Sequence, residues 1–153
     1  MDTQRGRALA LDLGTRRIGV AISDDRRTFA VPLATIQAIP RTRALDTIVA
    51  LVHERDIADL VIGLPLTLRG EIGPQAKVVQ EFTHELEQLL NRSPQSPSLH
   101  FFDERFTSAA ANQLMRELGL SPEKRREKVD EIAATLILQD FLDAKNQALS
   151  PEP

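Results

Sequence analysis

Three apolar segments, Arg7 to Leu13, Arg17 to Ser23 and Ala30 to Gln37, follow one another with only Gly14-Thr15-Arg16 and the turn from Asp24 to Thr28 between them. Each reads as a strand. A parallel pair needs a crossover of about a dozen residues, so links this short admit only an antiparallel meander. After the meander the pattern changes. Leu45, Ile48, Val49 and Val52 fall at helical spacing and predict a helix over Arg43 to Arg55. Leu60 to Leu64 is apolar throughout, as a strand buried on both faces is. Pro65 to Pro74, with its glycines, is a loop, and Gln75 to Leu90 is a long amphipathic helix. Beyond the Pro/Ser-rich stretch Asn91 to Ser98 come a strand to Asp103 and helices at about Ser108 to Leu118 and Val129 to Lys145.

Helical crossovers are right-handed, which places the fourth and fifth strands parallel to the first. The expected architecture is therefore α/β: a five-stranded mixed sheet of order 3-2-1-4-5, flanked by helices. At 153 residues it forms one domain over 1–153, with about 146–153 as a frayed tail. Ligands gather at the carboxyl ends of the parallel strands in such sheets. Asp12, Leu64-Pro65 and Asp103-Glu104 all fall at that edge.

The acids there carry the chemistry. Asp12 follows Leu9-Ala10-Leu11 and precedes Gly14; a carboxylate against a core needs a counter-charge, and a shared divalent cation supplies one. Asp103 and Glu104 end the fifth strand and point to opposite faces, so one of them enters the site. Asp103 is preferred, with Glu104 the alternative. On a helical wheel Asp130 lies between Ile137 and Phe141, on the flank of the buried face and in the first turn of the last helix. The small Ala133 and Ala134 beside it allow close approach to the sheet. Each acid has a plainer role too: a turn residue, a strand-end ion pair with Arg105, or a favourable charge at a helix start.

Other chemistries are excluded by what is missing. No cysteine is present, so disulfides, thiolate zinc sites and cysteine catalysis are out. The three histidines show no metal-binding spacing, and there is neither a Walker loop nor a nucleophile elbow. No apolar run is long enough to cross a bilayer, and no apolar signal core precedes residue 7, so the expected location is the cytoplasm. A net charge of −3 argues against a general nucleic-acid coat. The cations are uneven, however: 15 Arg against 4 Lys, with Arg16-Arg17 and the run Lys124 to Lys128 close to candidate acids. Phosphate binding is the functional reading of those clusters; solvated surface is the plain one.

Four motifs in order resemble the YqgF family, also called RuvX. They are Ala10-Leu11-Asp12-Leu13-Gly14-Thr15 running on to Asp24, Val61-Ile62-Gly63-Leu64-Pro65 with Gly70 and Gly73-Pro74-Gln75, Asp103-Glu104-Arg105-Phe106-Thr107, and Val129 to Ala134 with Ile137-Leu138-Gln139. The resemblance covers nearly the whole chain. It implies an RNase H-like fold and a nuclease acting at the 5′ end of pre-16S rRNA, or on single-stranded or four-way-junction DNA. It implies Mg²⁺ or Mn²⁺ as cofactor, held by Asp12, Asp103 (or Glu104) and Asp130 in a two-metal arrangement. Arg16, Arg17, Arg69, Arg105, Lys124, Arg125 and Arg126 become the candidates for binding nucleic acid. Monomer and homodimer are both left open.

Departures from the pattern accompany the match. Related resolvases carry an acid where this chain has Leu64-Pro65, and another where it has Ala133. Thr67-Leu68-Arg69 brings a cation to a loop where an acid is usual. Two other classes compete. Asp12-Leu13-Gly14-Thr15 also suits actin-like and sugar-kinase ATPases, but those bind nucleotide between two copies of the fold and this chain supplies one. A non-catalytic factor in ribosome assembly or transcription would not need all three acids.

Overall fold

The computed structural model describes residues 6–104 and 107–149. The elements run β1 (Arg7–Leu13), β2 (Arg17–Ser23), β3 (Ala30–Gln37), α1 (Arg41–Glu54), β4 (Ile57–Leu64), α2 (Pro74–Leu90), β5 (Ser98–Asp103), α3 (Thr107–Glu117) and α4 (Pro122–Leu149). One sheet of order β3-β2-β1-β4-β5 results, as expected from the short links and helical crossovers. The β1–β2 and β2–β3 pairs are antiparallel, and β1–β4 and β4–β5 are parallel.

The two faces of this sheet are unlike, and the difference is written into strand parity. In β1, Leu9 and Leu11 face α1 and α2, whereas Ala8 and Ala10 face α4. In β2, Ile18, Val20 and Ile22 join the first cluster, and Ala21 joins the second. Large aliphatics thus fill the α1/α2 side, with Ile48, Val52, Leu86 and Leu90 completing it. Small residues on the other side let the single long helix α4 lie close, packing Ala134, Ile137, Leu138 and Phe141 against the strands. Side-chain bonds fix its register: Thr35 Oγ1 donates to Glu131 Oε2 at 2.7 Å, and Gln139 Oε1 accepts from the Ala30 amide at 2.9 Å.

Helix α4 begins at Pro122 rather than Val129, and continues past Lys145 to Leu149. Proline suits the first helical position, and Ser121 caps the start, its Oγ accepting from the Lys124 amide at 3.3 Å. Upstream, α3 closes with Gly119 at φ +78, the Gly119 and Leu120 amides donating to the Arg116 and Met115 carbonyls, a Schellman ending. The basic run Lys124 to Lys128 is therefore helical, and Asp130 lies well inside α4 instead of in its first turn. A helix-start role for Asp130 falls with that boundary.

Candidate active site

Asp12 lies at the carboxyl end of the central strand, on the α4 side, between two glycines. On one flank it pairs directly with Gly19 of β2. On the other, β4 places Gly63 one position beyond the Leu11–Ile62 pair. Each glycine makes room for another acid. A Cβ on Gly19 would overlap the backbone carbonyl of Asp130 and come within 2.9 Å of the Glu131 nitrogen. A Cβ on Gly63 would meet Glu104 Oε1 at 2.7 Å and Ile137 Cδ1 at 2.8 Å. Helix α4 thus rests on Gly19, bringing Asp130 to one side of Asp12, while Glu104 crosses Gly63 to reach the other.

Of the two acids at the end of β5, Glu104 and not Asp103 stands on the same face as Asp12. The parallel ladder continues one step past the strand, the Glu104 amide donating to the Leu64 carbonyl at 3.2 Å. Parity then sends Glu104 to the α4 face, with Phe102 and His100, and leaves Asp103 exposed on the α1/α2 face with Phe101. From there the Asp103 charge discourages ionisation of Glu104.

The electrostatics are those of acids crowded without enough counter-charge. Burial, the Asp12 charge and the hydrogen bond to Asp12 push the Glu104 carboxyl up to about 9. Asp12 is raised as well, by burial first; the Glu104 hydrogen bond lowers it and the Asp130 charge raises it. Glu104 therefore keeps a proton at neutral pH and donates it to Asp12.

Asp130 is partly balanced. Arg17 donates from Nε to its Oδ2 at 3.1 Å and from an Nη to the Arg126 carbonyl at 3.2 Å. Arg17 thereby joins the β2 start to the basic turn of α4. Lys124 and Arg126 are exposed nearby on that helix, while Arg125 spends an Nη–H on the Leu120 carbonyl at 2.9 Å. Arg16 is exposed beside β2 and Arg69 is exposed in the loop between β4 and α2. Arg105 lies outside the described residues.

Among the described residues, no three acidic or histidine side chains are gathered closely enough to enclose an ion. The donor set still fits a hard divalent cation. It consists of carboxylate oxygens alone, and the Asp12–Glu104 pair holds a proton that such a cation would displace. Mg²⁺ keeps several waters and takes one or two protein carboxylates together with substrate phosphates, so two convergent acids with Asp130 at the rim meet its needs. Gly19, which seats α4 beside Asp12, was not singled out from the sequence. Its signal was a glycine in mid-strand, which marks close backbone approach.

The chain is similar to known proteins in sequence and in structure. The RuvX family, described as Holliday junction resolvase, matches residues 6–144. A protein of Roseiflexus sp. (strain RS-1) named "Putative pre-16S rRNA nuclease" is 49% identical, over 95% of this chain and 99% of its own. One of the same name from Chloroflexus aurantiacus (strain ATCC 29366 / DSM 635 / J-10-fl) is 54% identical, over 90% of this chain and 86% of its own. In structure, the chain resembles T. thermophilus RuvC in complex with a Holliday junction substrate, with TM-score 0.58 at 12% identity over 92% of this chain and 96% of that one. It also resembles the fowlpox virus resolvase in its junction complex, with TM-score 0.51 at 10% identity over 91% and 98%. These likenesses and the sheet order establish the RNase H-like fold. The chain belongs to the RuvX family.

Proposed function

We propose that this chain is a divalent-metal-dependent nuclease that hydrolyses phosphodiester bonds in precursor rRNA, at the 5′ end of pre-16S rRNA. The observation that carries the reading is the packing of Asp12 between two glycines, with Glu104 across one and Asp130 across the other. No structural need explains such crowding: it costs stability, and a sheet end is easily built from neutral residues. The names of the relatives supply the substrate.

Asp12 and Glu104, with Asp130 at the rim, would hold Mg²⁺ or Mn²⁺, in a two-metal arrangement. When bound, the metal lowers the pKa of a water and neutralises charge on the departing oxygen. The chain's own residues do the rest. Asp12 anchors the site from a rigid strand, and Glu104, protonated beside it, would have to lose that proton to serve as a ligand. Arg17 hands its Nε–H from Asp130 to an incoming phosphate, with Arg16, Lys124 and Arg126 guiding the backbone. Asp12→Asn abolishes cleavage of a structured precursor-rRNA fragment with Mn²⁺ present, while circular dichroism stays native. Undiminished cleavage by that variant overturns the reading. Running single-stranded DNA and four-way junctions in parallel identifies the preferred substrate.

A further inference from the structure

Asp12 and Leu13 are consecutive, so their side chains leave the end of β1 on opposite faces. On the Leu13 side, away from the acids, a cavity of about 280 Å³ opens at the same carboxyl edge of the sheet. Its walls include Leu13 and Thr15 from the β1–β2 link, Arg41 from the start of α1, and Gln75, Val78 and Phe82 from α2. Most of the lining is apolar. Its volume falls just under the range of about 300–1,000 Å³ typical for drug-sized ligands, which suits a single ring system. Phe82 presents a ring in the wall, with the Arg41 guanidinium 5.4 Å from its centroid. Thr15 and Gln75 add a hydroxyl and a carboxamide, both able to donate and accept, and neither side chain has a hydrogen-bond partner among the described residues.

Both flanking helices start at this rim without a side-chain cap, at Pro40 for α1 and Gly73 for α2. The mouth is therefore flanked by Arg41, which also pairs with Glu85 at 3.0 Å, and by the positive dipole ends of two helices, a match for a polyanion. We propose that this cavity receives one unpaired nucleobase of the substrate strand, within two nucleotides of the phosphate held at Asp12. A strand crossing the end of β1 has one face of the sheet for its scissile phosphate and the other for that base. A base stacked in a duplex cannot enter a cleft between helices, so the cavity selects for single-stranded or readily unstacked sequence. This inference rests on the nuclease reading and names the feature of substrate that the site selects.

The test has two arms. In the first, the ¹⁵N-labelled full chain is titrated in EDTA with each nucleoside 5′-monophosphate, and with inorganic phosphate for comparison. The nucleotides should shift the amides of Thr15, Gln75 and Phe82 well beyond what phosphate does. Val78→Trp, which fills the cavity from a position 57% exposed and so spares the core, should abolish those shifts; Gln75→Ala should weaken them. In the second arm, an abasic site is walked along a cleaved oligonucleotide. Within two nucleotides of the cut it should raise KM about tenfold, the scale of one lost base contact, and Val78→Trp should do the same on intact substrate. Absence of lining shifts, or a KM indifferent to both changes, overturns the proposal. Lining shifts without cleavage of any oligonucleotide would retain the base site and discard the nuclease reading. Cleavage with an unresponsive lining would do the reverse.

Discussion

Replacing Gly19 with alanine adds one methyl where α4 rests on the sheet. That methyl falls inside the van der Waals surface of the Asp130 carbonyl and 2.9 Å from the Glu131 nitrogen. Both groups are helix backbone, so no rotamer change relieves the overlap. Restoring ordinary contact at about 3.5 Å with the Asp130 oxygen requires α4 to lift by roughly one and a half ångströms. Overpacking of this kind costs about 1–3 kcal/mol. The lift also draws Asp130 away from Asp12 and stretches the 2.7 Å bond between Thr35 and Glu131. A displacement of about an ångström at reacting groups lowers a rate by roughly 100-fold. Gly63→Ala is the comparison. Its methyl meets Glu104 Oε1 at 2.7 Å and Ile137 Cδ1 at 2.8 Å, the movable ends of two side chains. It should cost less than about 1 kcal/mol while still displacing Glu104. Urea denaturation followed by circular dichroism measures the first quantity, and cleavage of a precursor-rRNA fragment with Mn²⁺ measures the second. A Gly19→Ala protein with wild-type midpoint and wild-type rate would refute close seating of α4 as the device that positions Asp130.

Four further outcomes follow from the charged groups and the cap. Because the Glu104 carboxyl is raised to about 9, its ionisation destabilises the native state from the unfolded-state value of 4.5 upward. Glu104→Gln should therefore unfold at higher urea than wild type at pH 8, by a margin of at most about 1.4 kcal/mol per pH unit that closes towards pH 5; an unchanged margin would contradict the crowding. Millimolar Mg²⁺ should raise the wild-type Tm and leave that variant's Tm nearly unmoved. Asp59 behaves oppositely: burial raises its pKa, but hydrogen bonds and charges from His100, at 2.7 Å, and Arg27, at 2.5 Å, outweigh it and leave the value lowered. Its stabilisation is present above the unfolded-state value of 3.8 and is lost as pH falls through the lowered one. Asp59→Asn should cost about 1–3 kcal/mol at pH 7 and little at pH 2, by denaturation at both. Ser121→Ala, removing the α4 cap, should lower stability by about 1 kcal/mol, and an unaltered Tm would argue against it.

The sheet order was legible because it depends on link lengths, and Gly14-Thr15-Arg16 leaves the chain no choice. Which of Asp103 and Glu104 shares a face with Asp12 was also in the sequence, though it needed one more step. Asp12 has the parity of Ala8 and Ala10, Glu104 that of His100 and Phe102, and the parallel register joins these sets on one face. Comparing parity within β5 alone could not reveal which face held Asp12. The start of α4 was hidden by charge: Lys124 to Lys128 lacks an apolar stripe, yet Ser121-Pro122-Glu123 is a strong helix opening. Gly19 looked like an ordinary strand glycine until the helix above it was placed. The Arg17–Asp130 pair spans 113 positions and depends on that same seating, so no local pattern announces it.

The unlike faces of the sheet also divide the chain by its tolerance of change. On the α1/α2 side, Leu, Ile and Val meet other aliphatics, and a loss of volume at one is recoverable at its neighbour. On the α4 side, Gly19, Ala21, Ala10 and Ala8 set how near a helix backbone comes, and no neighbour offers slack for an added carbon. Volume-conserving substitutions should therefore be tolerated on alternate residues of the same strand and added volume rejected on the intervening ones. Stability should then be adjustable through one set of positions without moving the acids that the other set holds.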